Sequence, residues 1–433
     1  MFSEGGKNYR TLGRWDTAII LITNEVGLGI LSLPAALQTL GVVPGVIAII
    51  GIGLLSTYTA YELLQYYRRY PFCVNIVDMA KVLGGLPLEI ATGIGLLIKL
   101  CLTCASAGIT MSIALNSMSD HGMCTVAFIA FPMIGCWLLC LPRTFKFVSQ
   151  VGIPSTISIV SAILIVMISL GVSDPQNAPP GFEVEIAAVG HPGFKDGFTS
   201  CLNIAYAYAG NVGFVSIMAE QRDPSRDFLP ALWILQCFAI TLYVVVAVTV
   251  YCLAGQYTTS PSLGSAPLIP AKVAYGIVFP ALLATGLCFG HTALKYLYVV
   301  CMRGLKSTNE VTANTVKSWS VWVGVTTIFW VVAFILANAI PIFSSILSIS
   351  SATFIAWFTF GLSAVFWFHL NWGNLFMNWK KICLTIVNTL IIMIALFMNS
   401  AGLWAAITGL METYEDNSNE ISGAFTCADN GIL

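Results

Sequence analysis

The first hydrophobic segment of the chain contains the sequence TNEVGLGILSLP at residues 23–34. Two glycines, a carboxylate and an amide interrupt what would otherwise be a continuous membrane helix. Glycine weakens a helix because its backbone loses more conformational freedom on ordering than that of any other residue. Unwound backbone at membrane depth persists only where it lines a protein cavity rather than lipid. The stretch therefore predicts a broken membrane helix beside a cavity.

A second hydrophobic segment, far along the chain, is interrupted in the same way by the sequence YAYAGNVG at residues 206–213. Two broken helices in corresponding halves of a hydrophobic chain are the best sequence indication of the substrate site of a secondary transporter. A simpler interpretation is that Gly27, Gly29, Gly210 and Gly213 only allow close helix packing, which is a common use of glycine in membranes. Because the two clusters occur together, we favour a binding site.

The composition is that of a helical protein with several membrane spans. The chain has 433 residues, of which 57% are hydrophobic and 9% charged, whereas soluble globular proteins carry about 25% charged residues. No basic patch of the kind that binds nucleic acid is present, and the connecting segments leave no room for a soluble enzyme domain. Eleven segments approach or exceed the ~20 residues that cross a bilayer: 15–40, 42–66, 86–118, 123–141, 146–171, 193–220, 229–254, 270–304, 317–338, 342–370 and 379–411.

The positions of the basic residues predict the orientation. With the amino terminus in the cytoplasm, most of the 19 lysines and arginines fall in cytoplasmic segments, as the positive-inside rule requires. The tail after residue 411 is acidic and lies outside. Cys124 and Cys427 would both face that side, where they could pair. We expect an integral protein of the plasma membrane rather than of an organelle.

The broken helices predict how a solute binds. Unwinding frees N–H groups at the start of one half-helix and C=O groups at the end of the other. The N–H end suits a carboxylate and the C=O end suits an ammonium group. An α-amino acid carries both groups on one carbon. The candidate substrate-binding residues are Asn24, Glu25, Val26, Gly27, Leu28, Gly29 and Ile30 in the first break, and Tyr206, Ala207, Tyr208, Ala209, Gly210 and Asn211 in the second.

The motif N-x-x-G-x-G-x-L-x-L-P at residues 24–34, followed by Gly41 and Gly45, resembles the opening signature of the amino acid/auxin permease family, and most closely its fungal neutral amino-acid permeases. Residues 78–84 resemble the first inner loop of that family. Residues 220–232 resemble the segment after its sixth helix. The resemblance covers the whole chain.

The resemblance implies an all-α membrane fold of eleven transmembrane helices, with two inverted five-helix repeats, broken helices 1 and 6, and an additional eleventh helix. It also implies amino-acid uptake driven by a proton or sodium gradient. The expected division of the chain is a cytoplasmic tail at 1–14, a first repeat at 15–171, an extracytoplasmic loop at 172–192, a second repeat at 193–370, an inner loop with helix eleven at 371–411 and an extracytoplasmic tail at 412–433.

Four ionisable residues, Glu25, Lys99, His291 and Lys295, lie inside the spans. A charge at this depth costs about 2.5–3.5 kcal/mol on insertion scales and therefore requires a partner or a role. His291 and Lys295 share one helical face, so each disfavours the charge of the other. We assign ion coupling to His291, Thr292 and Lys295. The alternative is a structural ion pair of Glu25 with Lys295 or Lys99, and for Lys99 this structural role is the favoured interpretation.

We conclude from the sequence that the chain is a secondary active transporter, not an enzyme, that carries neutral amino acids by alternating access. The expected co-transported ion is a proton rather than sodium, and we expect no cofactor or metal. The expected partners are the amino acid and the lipid bilayer, and the sequence does not indicate an oligomeric state. The alternatives are a gradient-independent exchanger, an organellar exporter and a transporter-like sensor.

Overall fold

The computed structural model describes residues 10, 12–143, 146–176, 178–179, 181–307, 310, 315–340, 342–416 and 424–430. These residues form helices and connecting loops, and they contain no β-strand. The helices are α1 (Arg14–Glu25), α2 (Leu33–Leu40), α3 (Val42–Arg69), α4 (Ile76–Ser119), α5 (Thr125–Cys140), α6 (Lys146–Leu170), α7 (Phe194–Ala207), α8 (Asn211–Glu220), α9 (Pro224–Ala254), α10 (Leu268–Gly304), α11 (Val316–Ala339), α12 (Phe343–Ser350), α13 (Leu362–Asn371), α14 (Trp379–Phe397) and α15 (Leu403–Asp416).

The predicted all-helical membrane architecture is confirmed. Within the described residues, nine helical spans are long and apolar enough to cross a membrane, and the bent pair formed by α1 and residues 28–40 makes a tenth. Helix α5 is apolar but has only 16 residues, fewer than the ~20 that cross the hydrocarbon core. The total of eleven spans and the inverted relation of the two repeats stay predictions.

Both predicted helix breaks are present. Helix α1 ends at Glu25, a 3-10 turn covers Leu28–Ser32, and α2 begins at Leu33, with an angle of 44° between the two parts. Pro34 lies in the first turn of α2, where its missing N–H and fixed φ cost nothing. The second span stops at Ala207 and resumes as α8 after three residues. The membrane spans that contain the two glycine clusters are therefore interrupted at those clusters.

Burial separates central helices from peripheral ones. In the most hydrophobic part of α4, 78% of the residues are buried, whereas in that of the last span, Trp379–Glu412, 22% are buried. A helix that is apolar on all sides and buried belongs at the centre of a large protein, and one with exposed apolar sides faces lipid. The last span therefore lies at the edge of the bundle, and α4 lies near its centre.

Glycine at position 41 is required where the loop before α7 meets the end of α2. Gly41 has φ +86°, and a Cβ there would lie 2.3 Å from the backbone nitrogen of Gly190. This close approach lets Gly190 N–H donate to the Leu40 carbonyl at 2.8 Å, while Val42 N–H donates to the Ala187 carbonyl at 3.0 Å. The loop is thus hydrogen-bonded to the α2–α3 turn.

A disulfide joins Cys124, at the start of α5, to Cys427 in the carboxyl-terminal segment. The neighbouring Thr125 hydroxyl donates to the Ala428 carbonyl. Asn430 reaches further and donates its side-chain amide to the Ser112 hydroxyl of α4 at 3.3 Å. The segment 424–430 therefore connects α4 and α5 through covalent and polar contacts.

We expect Cys124→Ser to lower the unfolding temperature of the purified protein. The disulfide closes a loop between residues 303 positions apart, and disulfides typically contribute ~2–4 kcal/mol. Cys237→Ser is the matched control, because Cys237 is exposed and unpaired. Thermal unfolding in detergent, with and without reductant, measures the effect. Equal unfolding temperatures for the two variants would contradict the structural role of the bond.

Candidate functional site

A cavity of about 50 Å³ lies between the two helix breaks. Helices α4, α6 and α10 close its sides. The predicted residues that line it are Asn24, Glu25, Val26, Gly27, Leu28 and Gly29 of the first break, and Tyr206, Ala209 and Gly210 of the second. The other lining residues are Thr23, Lys99, Thr103, Ser155, Thr285 and Phe289, and of these the sequence indicated Lys99 alone, as a buried charge.

The other predicted substrate residues, Ile30, Ala207, Tyr208 and Asn211, do not border this cavity. The Asn211 side chain is fully buried and directed towards α3, where its amide donates to the Thr59 hydroxyl at 2.9 Å. It also donates to the Ser56 and Thr359 carbonyls, both at 3.2 Å. Asn211 thus attaches the start of α8 to two neighbouring helices rather than facing a solute.

The two breaks touch each other through Gly29. A Cβ at Gly29 would lie 2.5 Å from Ala207 Cα, closer than real atoms come. At Gly27, by contrast, a Cβ would meet nothing within 4 Å. The two interpretations of the glycine clusters therefore apply to different glycines, because Gly29 allows close packing while Gly27 borders open space in the cavity.

Tyr243 of α9 binds the carbonyl ends of both first half-helices. Its hydroxyl lies 3.2 Å from the Glu25 carbonyl oxygen and 3.0 Å from the Ala207 carbonyl oxygen. These are the last residues of α1 and α7, whose carbonyls have no partner within their own helices. The phenol carries one proton and donates to one carbonyl at a time. Nothing in the local sequence around Tyr243 indicates this role.

Side chains also join the breaks to each other and to α4. The Asn24 amide donates to the Gly210 carbonyl at 3.4 Å. Tyr206 extends from α7 across to α4, where its hydroxyl lies 3.4 Å from the Ser106 hydroxyl. The cavity is therefore bounded by polar groups that already contact one another, and its shape depends on both breaks together.

Two oppositely charged side chains border the cavity. Glu25 is 6% exposed, and its Oε1 accepts a hydrogen bond from the Gln236 amide at 3.2 Å. Lys99 is 3% exposed, and its ammonium nitrogen lies 5.0 Å from the centre of the Phe289 ring, within cation–π range. Among the described residues, no ion pair joins Glu25 to Lys99 or to Lys295. The structural ion pair considered from the sequence is not formed.

The predicted coupling residues lie on α10, away from the cavity lining. His291 is buried, and its Nε2 is 2.9 Å from the Pro142 carbonyl oxygen. The Thr292 hydroxyl donates to the Cys288 carbonyl of its own helix at 2.7 Å. Lys295 interacts electrostatically with Glu220 at the end of α8. A coupling role for these residues stays a prediction.

A helical membrane bundle with a polar cavity between two broken spans defines a membrane protein of the transporter class. The sequence model of the transmembrane amino acid transporter protein family matches residues 10–408, and the chain belongs to that family.

Three fungal relatives cover 98% of this chain. An N amino acid transport system protein of Neurospora crassa is 30% identical, and the match covers 90% of its length. Transmembrane transporters of Fusarium pseudograminearum and Gibberella moniliformis are 28% and 27% identical, and the matches cover 89% of the length of each. Among solved structures, MhsT in complex with L-phenylalanine is 14% identical with a TM-score of 0.49, over 94% of this chain and 99% of MhsT. The chain is an integral membrane protein of an amino acid transporter family, and its relatives are named as transporters, not as enzymes.

Gly29→Ala is expected to destabilise the protein by about 1–3 kcal/mol, the usual range for overpacking. The added methyl group would displace the Ala207 backbone and separate the two breaks. Gly27→Ala is the control, because its methyl group would enter open space. Thermal unfolding of the two purified variants distinguishes the two glycines. A Gly29→Ala variant as stable as Gly27→Ala would show that the breaks do not pack as described.

Tyr243→Phe is expected to lower both thermal stability and amino-acid uptake, because buried carbonyls that lose their donor cost about 1–3 kcal/mol. Tyr275→Phe removes the same atom from another fully buried tyrosine, whose hydroxyl has no hydrogen-bond partner among the described residues. Parallel unfolding and uptake assays compare the two. Equal behaviour would mean that the Tyr243 hydroxyl does not support the breaks.

Proposed function

We propose that the chain is a secondary active symporter that carries neutral amino acids by alternating access, with a proton as the coupled ion. The observation that carries this proposal is the cavity bordered by main-chain segments of both helix breaks. Freed N–H and C=O groups at such breaks suit the carboxylate and ammonium groups of one small solute. The proposed substrate site is formed by the predicted residues that line the cavity, which are residues 24–29, Tyr206, Ala209 and Gly210.

The remaining cavity wall favours a neutral substrate side chain. Val26, Leu28, Ala209 and Phe289 contribute apolar surface. Small-molecule sites combine such apolar walls with a few polar groups that set the orientation of the ligand. Because Glu25 and Lys99 carry opposite charges, the lining has no net excess that would select an acidic or a basic side chain.

Contacts at the two ends of the broken spans support alternating access. At one end, Leu12 N–H donates to the Glu220 carbonyl at 3.2 Å, which joins the start of α1 to the end of α8. At the other end, Gln38 donates to the Gln256 carbonyl at 2.8 Å, which joins α2 to the end of α9. In this proposal one set of contacts opens while the other stays closed, and the five-helix repeats at 15–171 and 193–370 move relative to each other.

Proton coupling is assigned to the α10 residues His291, Thr292 and Lys295. Glu220, at the end of the second half of the broken sixth span, is close enough to Lys295 to attract its charge. A change in the charge of Lys295 would therefore alter the attraction between α10 and the end of α8. One proton that moves down about 100 mV releases ~2.3 kcal/mol, and one pH unit adds ~1.36 kcal/mol. The sum would support a ratio of internal to external amino-acid concentration on the order of 500-fold.

The proposed orientation places the amino terminus in the cytoplasm and the carboxyl terminus outside, in the plasma membrane. The Cys124–Cys427 disulfide supports it, because disulfides persist in oxidising compartments such as the cell exterior. The basic residues of the segments on the opposite side agree with the positive-inside rule.

Uptake by the purified chain in proteoliposomes tests the function. We expect a panel of radiolabelled neutral amino acids to accumulate when a proton gradient is imposed, and not when only a sodium gradient is imposed. Lys295→Ala should flatten the pH dependence of uptake, whereas Lys272→Ala, which removes a lysine paired with Asp120, should leave it unchanged.

Two results would contradict this proposal. Exchange of internal for external amino acid without any net accumulation would indicate a gradient-independent exchanger. An unchanged pH profile in Lys295→Ala would place the coupling group elsewhere in the chain.

A further inference from the structure

Lys99 is a buried basic residue that lines the cavity and has no assigned role in the proposed transport mechanism. It lies in the central part of α4, one helical turn before Thr103, which also lines the cavity. Its ammonium group faces the Phe289 ring, and no carboxylate lies within ion-pair distance among the described residues. A charge at membrane depth without a counter-charge is costly, so Lys99 requires a ligand or counter-charge that the described residues do not supply.

Glu25 is an acidic residue that lines the same cavity as Lys99. Its Oε1 is bound by Gln236, but its Oε2 is buried and has no hydrogen-bond partner among the described residues. This oxygen lies close to the second break, since a Cβ at Gly210 would be only 2.7 Å from it. A carboxylate oxygen accepts hydrogen bonds and donates none, so an ammonium group is a suitable partner.

We propose that Lys99 binds the α-carboxylate of the amino-acid substrate and that Glu25 binds its α-ammonium group. This assignment rests on the proposed transport function and deepens it. A solute with both charges on one carbon would neutralise both side chains at once, whereas a solute with one charge would leave the other side chain uncompensated. The N–H groups of the first break can share the carboxylate with Lys99, because a carboxylate has about four acceptor positions.

The consequence is a strict requirement for a zwitterion. Leaving one partner of a buried charge pair unpaired costs about 2–5 kcal/mol in protein interfaces. A ligand that lacks either charged group should therefore bind at least about 30-fold more weakly than the amino acid. The apolar wall would select among side chains only after this requirement is met.

Competition binding with the purified full-length chain in lipid nanodiscs tests the assignment. The probes are L-leucine, L-leucinamide, which lacks the carboxylate, and 4-methylpentanoate, which lacks the amine. L-Alanine and L-alaninamide form a second pair. For the unmodified chain we expect both leucine analogues to bind at least 30-fold more weakly than L-leucine.

Lys99→Met should weaken L-leucine binding at least 30-fold and leave the affinity for L-leucinamide within about threefold, so that discrimination against the amide disappears. Glu25→Gln should correspondingly abolish discrimination against 4-methylpentanoate. Lys272→Met is the matched control, since Lys272 lies outside the cavity lining and pairs with Asp120, and it should keep both ratios. Lys99→Arg retains the positive charge and should retain discrimination against the amide, so it decides the question if Lys99→Met does not fold.

Each outcome has a distinct meaning. If the unmodified chain binds neither L-leucine nor L-alanine, nor any other neutral amino acid of a panel, the proposed function fails. If it binds amino acids and rejects the amides, but Lys99→Met rejects them equally well, then Lys99 does not bind the carboxylate and the inference is overturned. A Lys99→Met variant that keeps amide discrimination but loses proton-dependent uptake would also overturn the inference, because it would identify Lys99 as a coupling group.

Discussion

The contact between the two helix breaks is the constraint on which the cavity depends. Gly29 packs directly against Ala207, so the unwound segments of the first and sixth spans support each other. Tyr243 adds a hydroxyl that serves the carbonyl ends of both α1 and α7. Unwound backbone needs hydrogen-bond partners at membrane depth, since lipid provides none. Tyr243 and Asn24 therefore supply the donors that lipid cannot offer to the carbonyl groups of the breaks.

This arrangement also explains why charged side chains are tolerated beside the breaks. The main-chain groups already make the region polar, so Glu25 and Lys99 add charge to a site that is not hydrocarbon. Gln236 supplies one hydrogen bond to Glu25 from α9, and Phe289 supplies a ring face to Lys99 from α10. Neither side chain neutralises the other. The cavity is thus lined by an acidic and a basic side chain that, among the described residues, are not paired with each other.

The breaks could be predicted from the sequence because their cause is local. Glycines and polar residues within an apolar segment weaken the helix at the place where they occur, and the structure ends α1 and α7 there. The disulfide between Cys124 and Cys427 was recognised only as a possibility, because spacing alone does not bring together residues 303 positions apart.

The role of Asn211 was not predicted. Its amide was expected in the binding site, but packing against α3 directs it towards Thr59. Lys99 was recognised as a charge at membrane depth, yet its neighbours depend on how α4 packs against α10, which the local sequence does not specify.

The disulfide has a consequence for the order in which the chain can be completed. It joins the start of α5 to the segment that follows α15, so the chain from α5 to Cys427 forms one covalent ring. Helices α1 to α4 precede this ring and lie outside it in the sequence. A ring of this kind can close only after the last span has crossed the bilayer and delivered Cys427 to the side that holds Cys124. The presence of the bond in a molecule therefore indicates that all of its spans have been inserted into the membrane.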